Sequence, residues 1–353
     1  MLILTMETPL NPSLNDPHPE EKSVNNPGGT ELSYDAASEN PSVNYPAKPI
    51  LQDKKGNVWV RSLTSLALYL ALGYYFISHN VAILLILTAI VIFHELGHFF
   101  AMKMYDYKEL GIFFIPLLGA YASGTKHEIS QKQSAIILLA GPLPGILVGF
   151  GLHYLNEYYY NNDLLQLTAR IMIFLNLLNL LPIYPLDGGQ LLNRLFLEEN
   201  KIIGKIFVVV SAALLAYFAW KLNFYVLLIF PVMMLLRMRT DSAFDIITKK
   251  IEDAGINIDT SYEDLPDADY WKIRNILIEN NYLKLRNTPP SPPYEYSENE
   301  DKVVTTIQGL LQRSIIQDLS WVGKLFIILI WVLCFIAPFW LKVYLPFFGY
   351  YAR

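Results

Sequence analysis

Five consecutive residues, His94 to His98 with the sequence HELGH, combine two histidines and a glutamate inside an apolar stretch. On a helix, His94 and His98 lie one turn apart on the same face, where two imidazoles can hold one zinc ion. Glu95 lies beside them, in position to accept a proton from a water that the metal activates. Ionisable residues are expensive in a membrane-spanning helix, so this setting favours a metal site over two buried histidines and a stray acid.

The composition is that of a membrane protein. The chain of 353 residues is 53% hydrophobic and only 17% charged, whereas a soluble domain carries about a quarter charged residues. The net charge of −5 is small and the lysines and arginines are scattered, so no nucleic-acid partner is expected. The expected surroundings are a lipid bilayer.

Seven hydrophobic segments approach the ~20 residues that a helix needs to cross a bilayer. The predicted fold class is an all-α polytopic membrane protein with about seven transmembrane helices. A short membrane-associated β-like segment is expected between the second and third. The seven segments are residues 59–78, 81–102, 134–154, 164–181, 202–220, 224–236 and 322–344.

The third metal ligand is predicted from the direction of these segments. A catalytic zinc needs three protein ligands and one open position. The second and fourth segments are separated by a single crossing, so they run in the same direction, and their ends place His98 and Asp187 at similar depth. Two prolines interrupt the helix before Asp187, and Gly188-Gly189 let the backbone turn tightly after it. The alternative is a solvated Asp-Gly turn at the membrane boundary.

The distribution of basic residues in the short loops predicts the orientation. The loop after the second segment contains Lys103, Lys108, Lys126 and Lys132, whereas the loop 155–163 contains neither Lys nor Arg. Because cytoplasmic loops carry the excess of Lys and Arg, the N-terminus is expected in the cytoplasm. The chain is then an integral multi-pass protein of the cell membrane.

Three features together resemble the site-2 protease family of intramembrane zinc metalloproteases. They are the HELGH sequence in a predicted span, the mid-chain Ala140-Gly141-Pro142, and the sequence NLLPIYPLDGG at 179–189. The resemblance covers roughly residues 81–198. It implies one zinc ion per chain, held by His94, His98 and Asp187, with Glu95 as the catalytic base. The implied substrate is a membrane protein or membrane peptide, cleaved in or near its transmembrane segment as in regulated intramembrane proteolysis.

The resemblance also suggests residues that contact the substrate. Asn179 matches the asparagine of the family's signature and is expected to help hold substrate. Residues 111–122, including Gly119 and Tyr121, resemble a membrane-facing strand region, to which an extended substrate could pair through its backbone. An apolar loop that merely packs is an equal alternative. Gly145 stands where many members carry asparagine, so any polar contact made there must come from elsewhere or be missing.

Composition and resemblance together predict four regions. Residues 1–48 are rich in polar residues and proline and are expected to be a disordered tail. A six-span membrane domain is expected over 57–237, with the protease core at 81–198. A polar cytoplasmic domain follows at 240–318, and a C-terminal transmembrane helix at 321–348.

Two other functions remain open from the residues alone. A divalent-cation transporter could use the same His and Asp residues as a transit site, but it would need a polar path to both sides of the membrane. A non-catalytic relative could bind membrane segments without cleaving them. The sequence indicates neither the substrate nor the oligomeric state.

Overall fold

The computed structural model describes residues 45–50, 57–76, 79–116, 119–126, 129–197, 201–280, 282, 290–298, 300–311 and 315–343. Most of the predicted tail therefore lies outside the described residues. Only its last four residues, 45–48, are described. They lie against the polar domain, because side chains of that domain bind their backbone.

Two apolar helices open the membrane region. They are α1 (Val58–Phe76) and α2 (Val81–Met104). Asn80 caps α2, since its side-chain oxygen accepts hydrogen bonds from the backbone nitrogens of Ala82 at 3.0 Å and Ile83 at 3.3 Å. The HELGH sequence therefore lies in the second half of a continuous helix, as predicted, with His94, Glu95 and His98 all on its buried face.

A β-hairpin follows α2, in the place where the sequence predicts a short β-like segment. Its strands, β1 (Lys108–Ile115) and β2 (Gly119–Thr125), pair antiparallel with Ile112 opposite Ala122. The hairpin packs against α1 and α2. The backbone nitrogen of Phe114 donates to Ser65 Oγ at 3.1 Å, and the Phe114 ring lies 5.7 Å from the Tyr69 ring. These contacts place the end of β1 beside the middle of α1.

The next helices form the packed core of the membrane region. A short strand β3 (Ile129–Ser130) leads into α3 (Gln131–Ala140). The helix is interrupted at Gly141, and α4 (Pro142–Leu155) follows. Proline is well suited to the first position of a helix because its missing N–H would have no partner there. Helix α5 (Asp163–Asn179) returns along α4. Much later in the chain, the Trp331 indole donates to the Leu180 carbonyl oxygen at 2.8 Å, which joins the C-terminal helix to this core.

The helices α6 (Asp187–Leu192), α7 (Lys201–Lys221) and α8 (Ile229–Asp253) complete the membrane region and lead out of it. The predicted boundary between the membrane and polar domains, at 237–240, falls inside α8. The helix continues because its polar half is amphipathic. Ile247 and Ile251 lie one turn apart and are buried in the core of the polar domain.

The polar domain is built from the end of α8 with α9 (Asp267–Glu279) and α10 (Glu300–Leu310). A strand β4 (Ile315–Ile316) then pairs in parallel with β3, and α11 (Trp321–Trp340) follows. The Asp318 carboxylate accepts hydrogen bonds from Ser130 Oγ at 2.5 Å and from the Lys132 nitrogen at 3.1 Å. The starts of α3 and α11 therefore lie side by side.

The helical content and the number of apolar helices are those of a polytopic membrane protein. Among the described residues, four helical stretches are long and apolar enough to cross a bilayer: Val81–Met104, Gln131–Tyr160, Ile202–Lys221 and Trp321–Trp340. They contain the second, third and fifth predicted segments and most of the seventh. The described parts of the first, fourth and sixth segments also form mostly helix, but they are shorter or less apolar, so the number seven stays a prediction.

A buried ion pair holds the polar domain together. Arg274 Nε donates to Glu300 Oε1 at 2.8 Å, and Tyr270 and Ser297 donate to the same carboxylate. Burial would raise the pKa of Glu300, but the hydrogen bonds from Arg274, Tyr270 and Ser297 outweigh it and hold that pKa below the ordinary 4.5. The charged carboxylate is thus the form that the folded domain stabilises.

Replacement of this carboxylate should lower stability in a pH-dependent way. We expect Glu300→Gln to destabilise the domain at pH 7 by about 1.5–3 kcal/mol, the usual contribution of a hydrogen bond to a charged group. Because the folded-state pKa is lowered, the wild-type advantage is present above about pH 4.5 and is lost as the pH falls through the folded-state value. Thermal unfolding in detergent between pH 7 and pH 3.5 measures it. The exposed Glu298→Gln should change nothing, and an unaltered Glu300→Gln curve would contradict the stabilising role.

Candidate metal centre

Three side chains from distant parts of the chain meet at the buried face of α2. His94 and His98 lie one turn apart on α2, and Asp187 is the first residue of α6. The Nε2 atoms of the two histidines are 3.1 Å apart. Asp187 Oδ2 lies 3.1 Å from His94 Nε2 and 3.4 Å from His98 Nε2. The side chains are almost inaccessible to solvent, so the three atoms face one another in the interior.

The other nitrogen of each imidazole is bound to an acceptor, which determines the tautomer. His94 Nδ1 lies 2.7 Å from Asn176 Oδ1, and His98 Nδ1 lies 2.7 Å from the Ile137 carbonyl oxygen. A carbonyl oxygen can only accept, so Nδ1 of each ring carries a proton, and Nε2 is the nitrogen left to bind a metal ion. Three potential ligand atoms therefore converge on one point.

This convergence fits a zinc ion. Both oxygens of the Asp187 carboxylate are buried, and neither accepts a well-formed hydrogen bond from the described residues. A buried carboxylate is unfavourable unless a cation lies beside it, and a metal ion bound by both Nε2 atoms would be such a cation. In a tetrahedral site with metal–ligand distances of about 2.0–2.1 Å, the ligand atoms lie about 3.3 Å apart. The observed separations of 3.1–3.4 Å have this size.

Close contacts through glycine position the two histidines. A Cβ atom at Gly97 would lie 2.0 Å from the Ala140 carbonyl oxygen, and one at Gly141 would lie 2.2 Å from His98 Nε2. Only glycine permits α2 to approach the α3–α4 break so closely. That approach brings the Ile137 carbonyl within reach of His98.

Asp187 is positioned by the loop between α5 and α6. Gln190 Nε2 donates to the Pro185 carbonyl oxygen at 2.9 Å, which holds the start of α6 against the loop. A Cβ atom at Gly188 would lie 1.9 Å from the Leu180 carbonyl oxygen. The glycine after Asp187 was expected to permit a tight turn. It instead permits a close approach of helix and loop, and its φ is not positive.

Glu95 is buried and is held by the hairpin. Its Oε2 accepts a hydrogen bond from the backbone nitrogen of Ala122 at 2.8 Å. Ala122 is itself almost fully buried on β2. The carboxylate next to the metal ligands is therefore fixed by one main-chain donor, and its second oxygen takes no part in that bond.

The bond to Glu95 shows which way the backbone of β2 points. In a strand, the N–H and C=O groups of one residue point to one edge, and those of the next residue point to the opposite edge. The Ala122 N–H points away from β1, towards α2. The backbone groups of Ala120 and Gly124 therefore point to the same edge, whereas those of Tyr121 point to β1. Over the described residues, no strand pairs with this edge of β2.

Two of the three residues predicted to contact substrate lie on β2, and the third ends α5. Gly119 begins β2 with a φ of 122°. The Tyr121 ring packs 5.5 Å from the Phe113 ring. Asn179 is half-buried in the last turn of α5. Their roles stay predictions.

Asn176 is a site residue that the sequence analysis missed. It is buried on α5, its Oδ1 holds His94 Nδ1, and its Nδ2 donates to the Met172 carbonyl oxygen at 2.7 Å. A Cβ atom at Gly145 would lie 2.2 Å from Asn176 Nδ2. The amide therefore fills the space beside Gly145, and the polar contact absent at that position comes from α5. The sequence contained one indication of this role: Asn176 is a second asparagine, one turn before Asn179, in an apolar helix.

A small, partly polar cavity lies close to the centre. It adjoins Ile137, whose carbonyl binds His98, and Gln190, which holds the loop before Asp187. Its polar lining offers a place for water near the ligands. The lining residues are Met102, Tyr107, Ser134, Ile137, Leu138, Gln190 and Arg194.

Comparison with known proteins agrees with the resemblance that the motifs indicate. The sequence model of Peptidase family M50 matches residues 82–162. This match contains the HELGH sequence, the hairpin and α4, but it ends before Asp187. The geometry brings Asp187 to the histidines independently of that match.

Two curated proteins are similar over part of their length. Stage IV sporulation protein FB of Bacillus subtilis is 34% identical over 120 residues, which are 33% of this chain and 41% of that protein. Zinc metalloprotease MJ0392 of Methanocaldococcus jannaschii is 27% identical over 159 residues, 42% of this chain and 46% of that protein. The chain thus spans less than half the length of these relatives.

One solved structure is also similar. The Site-2 Protease from Methanocaldococcus jannaschii shares 24% sequence identity with a TM-score of 0.36, over 50% of this chain and 84% of that one.

The two asparagines of α5 should have different effects on metal affinity. We expect Asn176→Leu to weaken zinc binding about 10–100-fold, because it removes the acceptor that orients His94. Asn179→Leu, the same change one turn away, should leave affinity unaltered. Competition with a chelator on the purified protein measures both, and Asp187→Ala, which removes a ligand, serves as the reference for lost binding. Equal affinities for Asn176→Leu and wild type would remove Asn176 from the support of the site.

Proposed function

We propose that this protein is an intramembrane zinc metalloendopeptidase, which hydrolyses a peptide bond in or near a transmembrane segment of its substrate. The observation that carries the proposal is the convergence of three buried acceptor atoms beside the Glu95 carboxylate. Two histidines and one carboxylate are a ligand set of catalytic zinc, which leaves a fourth position for water or substrate. The match to Peptidase family M50 supports the same reaction.

The reaction uses the residues in distinct roles. His94, His98 and Asp187 would hold the zinc, which supplies a Lewis acid next to the scissile carbonyl. Glu95 accepts the proton of the attacking water and passes it to the leaving amine. The Ala122 N–H fixes one carboxylate oxygen, so the other is available for the proton. Asn176 and the Ile137 carbonyl keep both imidazoles in the tautomer that binds metal.

The edge of β2 is the proposed place for the substrate backbone. A helical peptide bond is shielded by its own hydrogen bonds, so a transmembrane substrate must be unwound before water can attack. An extended segment that adds to β2 would find main-chain partners at Ala120 and Gly124, on either side of the Ala122 N–H that binds Glu95. The same edge carries the donor to Glu95, so a peptide bound there lies next to the catalytic carboxylate. Gly119 and Tyr121 belong to this strand, and Asn179 is proposed as an additional polar contact.

The structure supports the proposed topology of seven crossings with a cytoplasmic N-terminus. The starts of α3 and α11 lie side by side through β3, β4 and Asp318. An even number of crossings must therefore separate them, as it does if α4, α5, α7 and α8 complete spans three to six. The lysines near Ser130 favour a cytoplasmic polar domain as well. In this arrangement the metal site lies in the cytoplasmic half of the membrane, since His98 is less than two turns from the end of α2.

Removal of the proposed base should separate catalysis from metal binding. We expect Glu95→Gln to abolish cleavage of a single-pass reporter while zinc stays bound, since the change removes a proton acceptor and no ligand. Gel analysis of the reporter and elemental analysis of the purified protein measure the two properties. Glu157→Gln, at the exposed end beyond α4, is the matched control and should cleave normally. Cleavage by Glu95→Gln at the wild-type rate would assign the base elsewhere, and zinc without cleavage in wild type would favour the binding or transport alternatives.

The composition of the substrate span should determine the rate. A reporter whose span carries Gly and Pro in its cytoplasmic third should be cleaved faster than one with Leu at those positions, because Gly costs a helix about 1 kcal/mol and Pro about 3 relative to Ala. Mass spectrometry of the products should place the cut in the cytoplasmic half. Equal rates for both reporters would show that unwinding does not limit the reaction, and a cut in the opposite half would contradict the depth of the site.

A further inference from the structure

A short proline-containing segment outside the membrane region occupies a groove in the polar domain. The segment is Tyr45-Pro46-Ala47-Lys48-Pro49, here called the YPAKP segment, and it belongs to no helix or strand. It precedes α1 in the chain but contacts residues more than two hundred positions later. Its contacts have no part in the metal centre.

The groove binds the backbone of the segment. The Trp271 indole donates to the Pro46 carbonyl oxygen at 2.9 Å, and the Tyr262 hydroxyl donates to that of Pro49 at 2.8 Å. The Tyr296 hydroxyl donates to the Ala47 carbonyl oxygen. Three carbonyls of the segment are thus held by donors from aromatic side chains. Such contacts depend on the backbone conformation of a peptide more than on its side chains.

Lys48 adds the charged contacts. Its backbone nitrogen donates to Asp267 Oδ1 at 2.8 Å, and its ammonium group donates to the carbonyl oxygens of Glu263 and Leu265. The ammonium also lies 5.4 Å from the centre of the Tyr262 ring, within the range of a cation–π contact. The groove therefore has a defined position for a basic side chain between two prolines.

The segment has the properties of a polyproline II ligand. Proline fixes its own φ, and the residue before a proline is restricted to extended conformations, which together constrain Tyr45, Pro46, Lys48 and Pro49. The exposed positions are Ala47 and Ile50, three residues apart, while the intervening residues are half-buried. A polyproline II helix has three residues per turn, so one side of it faces the groove and the other faces solvent.

The aromatic residues of the groove are held in place by the domain beneath them. The Trp271 ring stacks on Tyr296 with centroids 5.8 Å apart, and it meets the Tyr294 ring edge-on at 5.4 Å. Buried Arg274 donates to the Glu295 carbonyl oxygen and binds Glu300, which fixes the strip of chain that carries these tyrosines. The groove is built by the domain, and the YPAKP segment only fills it.

We propose that this groove is a binding site for proline-rich peptides, occupied by the YPAKP segment in cis and by a proline-rich segment of another protein in trans. Aromatic grooves that bind Pro-x-x-Pro sequences use this mode of recognition, and Pro46 and Pro49 have that spacing. The partner that fits carries an aromatic-Pro-x-Lys-Pro pattern. Tyr45 packs on Tyr294 with ring centroids 5.2 Å apart, and the Trp271 indole binds the Pro46 carbonyl, so release of the segment breaks both contacts and a second proline-rich segment can replace them. The proposal is independent of the proteolytic activity.

Peptide binding to the full-length protein in detergent tests the exchange. The probe is a fluorescent peptide with the sequence of residues 43–50, VNYPAKPI, followed by anisotropy. A tethered segment acts at an effective concentration in the millimolar range, so wild type should bind the probe weakly. Pro46→Ala/Pro49→Ala, which weakens the occupant in cis, should bind it at least tenfold more tightly. Lys48→Ala, which keeps both prolines, should give an intermediate gain.

Changes in the groove itself provide the matched controls. In the Pro46→Ala/Pro49→Ala chain, Trp271→Phe should weaken probe binding about 3–10-fold, because it removes one hydrogen-bond donor and keeps an aromatic ring. Tyr282→Phe, on the same domain core but outside the groove, should have no effect. A probe with both prolines replaced by alanine should bind at least tenfold more weakly. The proposal is overturned if neither release variant binds the probe below about 1 mM, or if the proline-free probe binds equally well.

Discussion

The meeting of one buried carboxylate with two buried imidazoles is the constraint on which the membrane region depends. Asp187 accepts no well-formed hydrogen bond from the described residues, and the Nε2 atoms of His94 and His98 lie 3.1 and 3.4 Å from its Oδ2. Such a group is stable in an apolar interior only around a cation. Three structural conditions must then hold together: α5 packs against α2 through Asn176 and His94, α2 touches the α3–α4 break through glycine, and the loop before α6 returns the carboxylate to the histidines.

The sequence predicts the proposed metal ligands more completely than the residues that orient them. His94, Glu95 and His98 follow from their spacing on one helix, and Asp187 follows from the parity of the crossings. Asn176 could not be found in this way, because its role depends on the space left by Gly145 on a neighbouring helix. The sequence signature of the family contains Asn179 instead, which lies one turn further along α5. A motif records which residues recur, whereas the contact that orients His94 is a property of how α4 and α5 pack.

The polar parts of the chain show a different limit of sequence reasoning. Residues 45–48 have the composition of a tail, and nothing in their hydrophobicity predicts a contact. They are ordered through backbone carbonyls, which every residue possesses, and the donors are spread over residues 262–296. The boundary inside α8 has a similar cause. A change from apolar to amphipathic sequence suggests two domains, but the backbone hydrogen bonds of a helix continue across such a change if both halves have a surface to pack against.

The hairpin and the proposed base are linked by a single hydrogen bond, which follows from the apolar surroundings. An unpaired strand edge inside a membrane protein leaves backbone donors that cost several kcal/mol each unless they find a partner. At Ala122 the partner is Glu95, a carboxylate that itself needs a donor once buried. Each group satisfies the other. In the proposed reaction an extended substrate would approach this same edge and would bring donors and acceptors of its own. The Ala122 N–H stays bound to Glu95, so the peptide would pair with the groups of Ala120 and Gly124 on either side of it, and one strand would position both the peptide and the base.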